Sequence, residues 1–410
     1  MTQELRTGAL AGSTDVAEVA ALARIRGRLG IDTEFMSEGR YRALLCLTQV
    51  AVEDPDSPVP SDKLRTIMID GLEPEVDVAP LAAVLADPAI EVVLHAGRQD
   101  VAILRRSWRT EITHIFDTQI AAGFAGESAQ SGYGNLLAAI LDVRLGKTAS
   151  YTRWDARPLT SEQLSYAAED VVHLLALADE LQRRLRVSGR YEWAVEECRR
   201  LEGSTDERDP ETAWERLPRV AQLDGTSRAV AKRLAAWRER TAAGEDRPVG
   251  SIIQDVPLVE IAKRRPRDSS RLGQIRGLHP PVVKRRGEAL LEAVRLGLED
   301  PPIPRETRRT RSEPGDAPLI ALTEALLRAR SIEAGLAYEL LASRAELELI
   351  VAAARDSAPE PAIRTLTGWR RALVGDELKA LLSGRAALSV GPRRQLELRG
   401  VDGSEPEPQR

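Results

Sequence analysis

Cysteine is nearly absent from this chain. Only Cys46 and Cys198 occur in 410 residues, which argues against a disulfide framework and makes a reducing cytoplasm the expected setting. No apolar run approaches the roughly 18 residues of a membrane span. The opening "MTQELRTGALAGSTDVAE" lacks the basic start and apolar middle of a secretory signal. The four histidines, His95, His114, His173 and His279, show no zinc spacing. Neither a Walker phosphate loop nor a dinucleotide fingerprint is present. These absences set aside secreted scaffolds, membrane proteins, zinc sites, and nucleotide chemistry of the common kinds.

An excess of positive charge is missing too, since the net charge is −5. A nucleic-acid binder can still be acidic overall if its basic residues cluster. Here they cluster in "AKRRPRDSSRLGQIRG" (262–277), "VVKRRG" (282–287) and "RETRRTR" (305–311). Such runs are more often a solvated surface than a binding face.

Hydrophobic content of 43% and charged content of 30% fit a globular protein. The length calls for several domains. In the first half, strand-like segments lead: 29–35, 42–52, 65–70 and 90–95. Helical periodicity follows at 78–87 and 98–108 and dominates after Asp117. This order predicts an α/β domain over 1–203, a mixed sheet flanked by helices. "GSTDERDPE" (203–211) reads as a linker. Residues 212–298 read as helices only, and 299–318, rich in proline and charge, as a second linker. Residues 319–398 read as helical again, and the tail "VDGSEPEPQR" as disordered. Two small all-α domains, 212–298 and 319–398, are therefore expected. They share a pattern of short helix, Gly-bearing turn and second helix.

The chemistry-bearing residues are acidic. In "GIDTEF" (30–35) the carboxylates Asp32 and Glu34 sit inside an apparently buried strand. Residues i and i+2 of a strand point to one face, so the two acids stand side by side, with Ile31, Thr33 and Phe35 on the other face. Like charges that close raise each other's pKa unless a cation lies between them. Oxygen-only ligands favour Mg²⁺ or Mn²⁺. The triplet recurs at Asp209-Pro210-Glu211, where no strand orients it. In "HAGRQDVAIL" (95–104), Asp100 falls in the first turn of a helix entered through a turn at Gly97, a place where an acid also serves the helix dipole. In "PLTSEQLSYAAEDVVHLLALADEL" (158–181), Thr160 and Gln163 form a capping box. Leu164, Ala168, Val171, Leu175 and Ala178 form the apolar stripe. Tyr166 and Asp170, at i and i+4, are neighbours on another face. A second such pair, Tyr151 and Asp155, has no capped helix under it.

The order of these elements, and the stretches "LCLTQVAV", "LHAGRQDVAIL", "IFDTQIAAGF" and "YTRWDARPLTSEQLSYAAEDVVHLL", resemble the DEDD superfamily of 3′–5′ exonucleases. The subgroup is the one with a tyrosine in its third motif, and the detail is similar to ribonuclease D over roughly residues 25–200. The first helical segment is similar to the helicase-and-ribonuclease-D C-terminal (HRDC) domain. The last, with "LLASRAELELIV" and "LTGWRRALVGDEL", looks like a divergent second copy. The resemblance implies a ribonuclease H-like fold with two divalent metal ions, Mg²⁺ or Mn²⁺, held by Asp32, Glu34, Asp100 and Asp170. Tyr166 would orient the attacking water. It further implies release of nucleoside 5′-monophosphates from RNA 3′ ends, with tRNA precursors and other structured RNA as substrates. Arg264, Arg265, Arg267, Lys284, Arg285 and Arg286 are candidate phosphate contacts. His95 is placed equally well for substrate or for a structural hydrogen bond. No protein partner or membrane is expected, so the protein should act as a monomer. A 3′–5′ DNA exonuclease and a non-catalytic nucleic-acid-binding protein are the competing readings.

Overall fold

The structure, a computed structural model, describes residues 10–55, 63–128, 130–146, 153–305 and 313–401. Helix α1 (Ser13–Arg26) precedes the first strand; its signal in the sequence is weak, and it was not anticipated. Gly27, at φ 70°, ends it in the left-handed conformation that glycine adopts without penalty. Strands β1 (Arg28–Met36), β2 (Leu44–Glu53) and β3 (Leu64–Asp70) then follow one another antiparallel. After helix α2 (Ala79–Leu85), strand β4 (Glu91–Leu94) joins β1 in parallel. Helix α3 (Arg98–Trp108) leads to β5 (Ile115–Asp117), a three-residue strand too short to read from sequence. The five-stranded mixed sheet has the order β3-β2-β1-β4-β5.

Both faces of this sheet are covered, which is why β2 reads as one apolar run rather than an alternation. On one face α1, α2 and α3 pack on Leu29, Ile31, Val50, Val52 and Ile69. Helices α4 (Thr118–Phe124) and α5 (Tyr133–Leu136, running on into a π-turn at Leu137–Leu141) cover the β4–β5 side. Helices α6 (Ser161–Val172) and α7 (Leu174–Val187) lie over the second face, divided at His173. Ala168, Val171, Leu175 and Ala178 are buried as the stripe predicted, while Leu164 is only partly so. Helix α8 (Tyr191–Glu202) closes the unit and buries Cys198; both cysteines are buried and free.

Residues 204–209 have no regular structure. They are nevertheless tied to α3, through Arg105 Nη1 to the Ser204 carbonyl at 2.8 Å and Arg106 Nε to Asp206 at 2.9 Å. A helical unit follows: α9 (Gly225–Glu245), α10 (Val249–Ile252), α11 (Asp255–Arg264), α12 (Ser269–Gly273) and α13 (Pro280–Glu299). It touches the turn after β1, where the Tyr41 hydroxyl bonds Glu239 at 2.8 Å and Arg40 pairs with Asp246 at 2.7 Å.

The last unit comprises α14 (Ala317–Ala334), α15 (Tyr338–Leu341), α16 (Arg344–Arg355), α17 (Gly368–Arg370) and α18 (Asp376–Leu382). The expectation of helix to residue 398 needs correction. The chain leaves α18 into an antiparallel hairpin, β6 (Ala386–Val390) and β7 (Leu396–Gly400), whose alternating "ALSV" and "LELRG" suit a half-buried ribbon better than a helix. Trp369 of this unit stacks on Trp193 at 5.2 Å and meets Phe124 edge-on at 5.1 Å, which anchors the unit to the α/β domain. The tail after Val401, and residues 306–312 with most of the "RETRRTR" cluster and part of the second linker, lie outside the described residues.

Candidate active site

Strand β1 delivers the first two acids. Asp32 and Glu34 face α6, as the strand period requires, and a register shift between Glu34 and Phe35 ends the regular ladder just beyond them. Helix α6 delivers Asp170. Its start is fixed by the expected capping box, Thr160 N–H to Gln163 Oε1 at 2.9 Å and Gln163 N–H to Thr160 Oγ1 at 3.2 Å. The loop before it is pinned by Arg157, which donates to Asp70 Oδ2 at 2.6 Å and to the Cys46 carbonyl at 2.9 Å. The result is that carboxylate oxygens of Asp32, Glu34 and Asp170 all lie within 4.8 Å of one another.

Asp100 arrives from α3 and is 7% exposed. It lies outside that three-way cluster, bonded to the hydroxyl of Thr33. Thr33, read from the strand period as facing away, is thus a partner of the fourth acid. The turn that aims α3 is built differently from the reading that Gly97 supplies the sharp bend. The left-handed residue is Ala96, at φ 55°. Gly97 is needed because a Cβ there would sit 2.7 Å from Leu94 Cβ. Buried Asp117 clamps this turn, accepting from Ala96 N–H at 3.2 Å and Gly97 N–H at 2.8 Å while capping α4 at Gln119 N–H (2.8 Å). Asp117 was overlooked as a positioning residue, although an Asp ending a strand before "TQIAAGF" is an N-cap signal.

The electrostatics follow from geometry. Burial first, then the charges of Asp100, Asp170 and Glu34, hold the Asp32 carboxyl well above its usual range. Burial, then Asp170 and Asp100, push Glu34 up to about 8. Burial and Glu169 push Asp170 up to about 7, against a hydrogen bond from Tyr166. Asp100 is also raised by burial, with the Thr33 bond opposing. Among the described residues Asp100 and Asp170 have hydroxyl partners, Asp32 accepts from the Thr33 backbone N–H, and no cation lies beside the four carboxylates. An all-oxygen cluster of this kind fits a divalent cation, whose charge removes the mutual repulsion.

Tyr166 belongs to the same site. Burial, then Asp170, Glu34 and Asp32, raise its phenol above the ordinary value, so it is a hydrogen-bond donor rather than a base. Tyr133 was not foreseen. Its buried hydroxyl has no side-chain partner, and after burial the charges of Asp170 and Asp32 raise its pKa. Its ring lies 5.4 Å from that of His95, and His95 Nδ1 is 2.9 Å from Thr118 Oγ1, the structural hydrogen bond of the two alternatives.

The decoys separate cleanly. Asp209 accepts from the Glu211 N–H at 2.9 Å, and Glu211 pairs with Arg240 at 2.5 Å, so those acids serve a turn and an ion pair. Asp155 pairs with Arg153 at 2.8 Å, and Tyr151 lies outside the described residues. The six basic candidates all lie on the first helical unit, in unlike states. Arg286 pairs with Glu245 at 2.8 Å with its side chain 9% exposed. Arg264 pairs with Glu260. Arg265 lies 3.9 Å from Asp224, and Arg285 lies 3.5 Å from Glu245. Arg267 and Lys284 are exposed.

A 3′–5′ exonuclease family model matches residues 10–186, and an HRDC domain model matches residues 227–294. Ribonuclease D of Gluconacetobacter diazotrophicus is 36% identical over 373 residues, covering 89% of this chain and 90% of that one. Ribonuclease D of Granulibacter bethesdensis is 37% identical over 388 residues, covering 92% and 93%. The crystal structure of Escherichia coli RNase D, described as an exoribonuclease involved in structured RNA processing, aligns with a TM-score of 0.79 at 28% identity. It covers 92% of this chain and 98% of that one.

Proposed function

This chain belongs to the ribonuclease D family, and we propose that Asp32, Glu34, Asp100 and Asp170 hold two divalent cations at the 3′ end of an RNA strand. The protein is a 3′–5′ exoribonuclease, a hydrolase of phosphodiesters. The observation that carries the site assignment is the convergence of three carboxylates within 4.8 Å, with a fourth close enough to raise the pKa values of Asp32 and Glu34.

Bound Mg²⁺ or Mn²⁺ would supply the Lewis acidity that activates water and steadies the leaving 3′ oxygen. The chain's own residues do the rest. Asp32 and Glu34 present paired carboxylates from one strand face, and Thr33 and Asp117 hold the fourth acid in place from behind. Tyr166, kept protonated by burial and its acidic neighbours, donates its hydroxyl proton to Asp170 and orients the attacking water by accepting from it. Its place four residues before Asp170 supports membership of the tyrosine subgroup. Hydrolysis releases nucleoside 5′-monophosphates one at a time.

The last helical unit reads as a divergent second HRDC copy, and helix spacing supports this. In the first unit, three residues (246–248) separate α9 from the four-residue α10, and two (253–254) separate α10 from α11. In the last unit, three residues (335–337) separate α14 from the four-residue α15, and two (342–343) separate α15 from α16. On this reading the domains are 1–203, 212–298 and 319–398, and both helical units hold structured RNA, such as a tRNA precursor, by its phosphates. The enzyme works as a cytoplasmic monomer. Among the described residues no helix is long and apolar enough to cross a membrane.

The decisive assay incubates purified protein with 3′-tailed RNA and with matching single-stranded DNA, in Mg²⁺, Mn²⁺ or EDTA, beside Asp32→Ala. Metal-dependent mononucleotide release from RNA, absent in the variant, is expected. Faster release from DNA would overturn the substrate assignment, and no release from either would overturn the catalytic one.

A further inference from the structure

Two buried polar side chains of β2 stand across the ladder from the site. Asp32 is paired with Gln49, and Thr33 with Thr48. Residues directly opposite in an antiparallel pair point to the same side of the sheet, with Cβ atoms about 4.5–5.5 Å apart. The packing agrees. Leu47, opposite Glu34, packs with Tyr166, Ala167 and Ala168, and Ala51, opposite Gly30, packs with Leu174 and Leu175. Gln49 lies between Leu47 and Ala51 on that same face, under α6 and α7.

Gln49 is 0% exposed, and neither its amide nitrogen nor its carbonyl oxygen has a partner. A buried amide in that condition is costly, and an apolar side chain of the same shape would be cheaper. Its counterpart across the ladder is the Asp32 carboxylate. An ionised carboxylate offers about four lone-pair sites. A cation would take some of them, and the rest need donors. Glu34, Asp100 and Asp170 are acceptors when ionised. The Thr33 hydroxyl is committed to Asp100, and that of Tyr166 to Asp170. Among the described residues Asp32 accepts from the Thr33 backbone N–H, and the nearby side-chain donors without a side-chain partner are the Gln49 amide and the Tyr133 and Thr48 hydroxyls. Thr48 stands opposite Thr33 on the other face, and only Gln49 is in register with Asp32.

We propose that Gln49 is a positioning residue for the metal site: its amide N–H groups donate to ionised Asp32, fix that carboxylate's orientation, and thereby set the affinity of the acid cluster for a divalent cation. The inference rests on Asp32 being a metal ligand.

Gln49→Met keeps the side-chain length and removes its hydrogen-bonding groups. Thr66→Val is the matched control; it removes a buried, unpartnered hydroxyl from β3 opposite Ala51, two ladder positions from Asp32. Mg²⁺ binding to the full chain is measured by calorimetry, beside the Mg²⁺-induced rise in Tm and the Mg²⁺ dependence of nucleotide release. Gln49→Met is expected to melt at or above the wild-type temperature without metal. Its Mg²⁺ Kd should rise by about 10- to 100-fold, as for other residues that orient metal ligands. Activity should return at proportionally higher Mg²⁺, and Thr66→Val should bind as wild type. A residue that merely fills the core would move Tm and leave Kd unchanged. Should the methionine variant fail to fold, Gln49→Leu gives the same reading. An unchanged Kd in a folded variant, beside a wild type that binds Mg²⁺, overturns the proposal alone. A wild type that binds no Mg²⁺ overturns it together with the metal assignment.

Discussion

The α/β domain and the helical units treat buried charge in opposite ways. Among the described residues four acids crowd together around β1 with no cation beside them, and all four carboxyl groups are raised in pKa. Where the last helical unit docks, the fully buried Arg370 meets Glu197 at 2.5 Å and the Leu340 carbonyl at 2.6 Å. Buried Arg238 meets Asp255 at 2.6 Å, and buried Asp316 meets Arg355 at 2.6 Å. Matched charges hold domains in place, whereas unmatched ones cost stability and persist where a ligand completes them. The acid cluster is therefore the candidate site, and the Arg370 pair is architecture, although both are buried and charged.

The sharpest way to break this contrast is to remove one charge from each region. Asp32→Asn should lower nucleotide release by about 10³-fold or more, since the site loses a charge-stabilising ligand. It should also raise the Tm of the metal-free protein, because the variant relieves like-charge crowding. Glu197→Leu should do the reverse. It strands a buried guanidinium, so stability should fall by about 3–5 kcal/mol, while the folded fraction keeps its activity. Thermal melts of both variants in EDTA, beside single-turnover rates, check the pair of outcomes. A destabilised Asp32→Asn would break the contrast.

How much of this was legible beforehand divides along similar lines. Asp32, Glu34, Tyr166 and Asp170 were readable because strand and helix periods fix which side chains share a face, and the capping box fixed where α6 starts. Asp100 was readable as a first-turn acid, but its bond to Thr33 was not. That contact comes from α3 lying on the face opposite α6 and reaching the strand edge, a tertiary arrangement that no local period encodes. The places of Gln49 opposite Asp32 and of Tyr133 beside the acids were invisible for the same reason, since they depend on register and on a neighbouring helix. Strand β5 was too short to signal itself. The C-terminal hairpin was missed because continuing a helical pattern past α18 ignored the alternation in 386–400.

Two subtler tests sharpen the description of the site. Tyr166→Phe removes the hydroxyl that orients water and leaves the carboxylates in place. Release should fall by about 100-fold, a cost typical of misplaced reactants, with Mg²⁺ affinity nearly unchanged; a large loss of Mg²⁺ affinity would mark Tyr166 as part of the metal shell instead. The pH test carries a definite sign. Glu34 and Asp170 bind protons more tightly folded than unfolded, with folded values of about 8 and about 7 against ordinary values of 4.5 and 3.8. Stability from these groups is fully present below about pH 4 and lost as pH rises through 7 to 8. The metal-free Tm should therefore fall between pH 5 and pH 8, and saturating Mg²⁺ should flatten that fall. Asp32→Asn should flatten it in part without metal.

The smallest effect concerns the basic surface, and the same distinction between matched and unmatched charge decides it. Arg286 is nearly enclosed and paired with Glu245, so contacting a phosphate would mean breaking that pair; Arg286→Ala should lower Tm and leave RNA binding at fixed salt little changed. Arg267 and Lys284 project into solvent, with no ion pair among the described residues, so a phosphate costs them nothing to meet. Each phosphate contact to a single strand contributes about 0.7 to the slope of log K against log salt. Arg267→Ala with Lys284→Ala should thus flatten that slope by about 1.4 without moving Tm. A salt slope that responds to Arg286→Ala and ignores the double variant would mean that the paired cations, not the free ones, face the RNA.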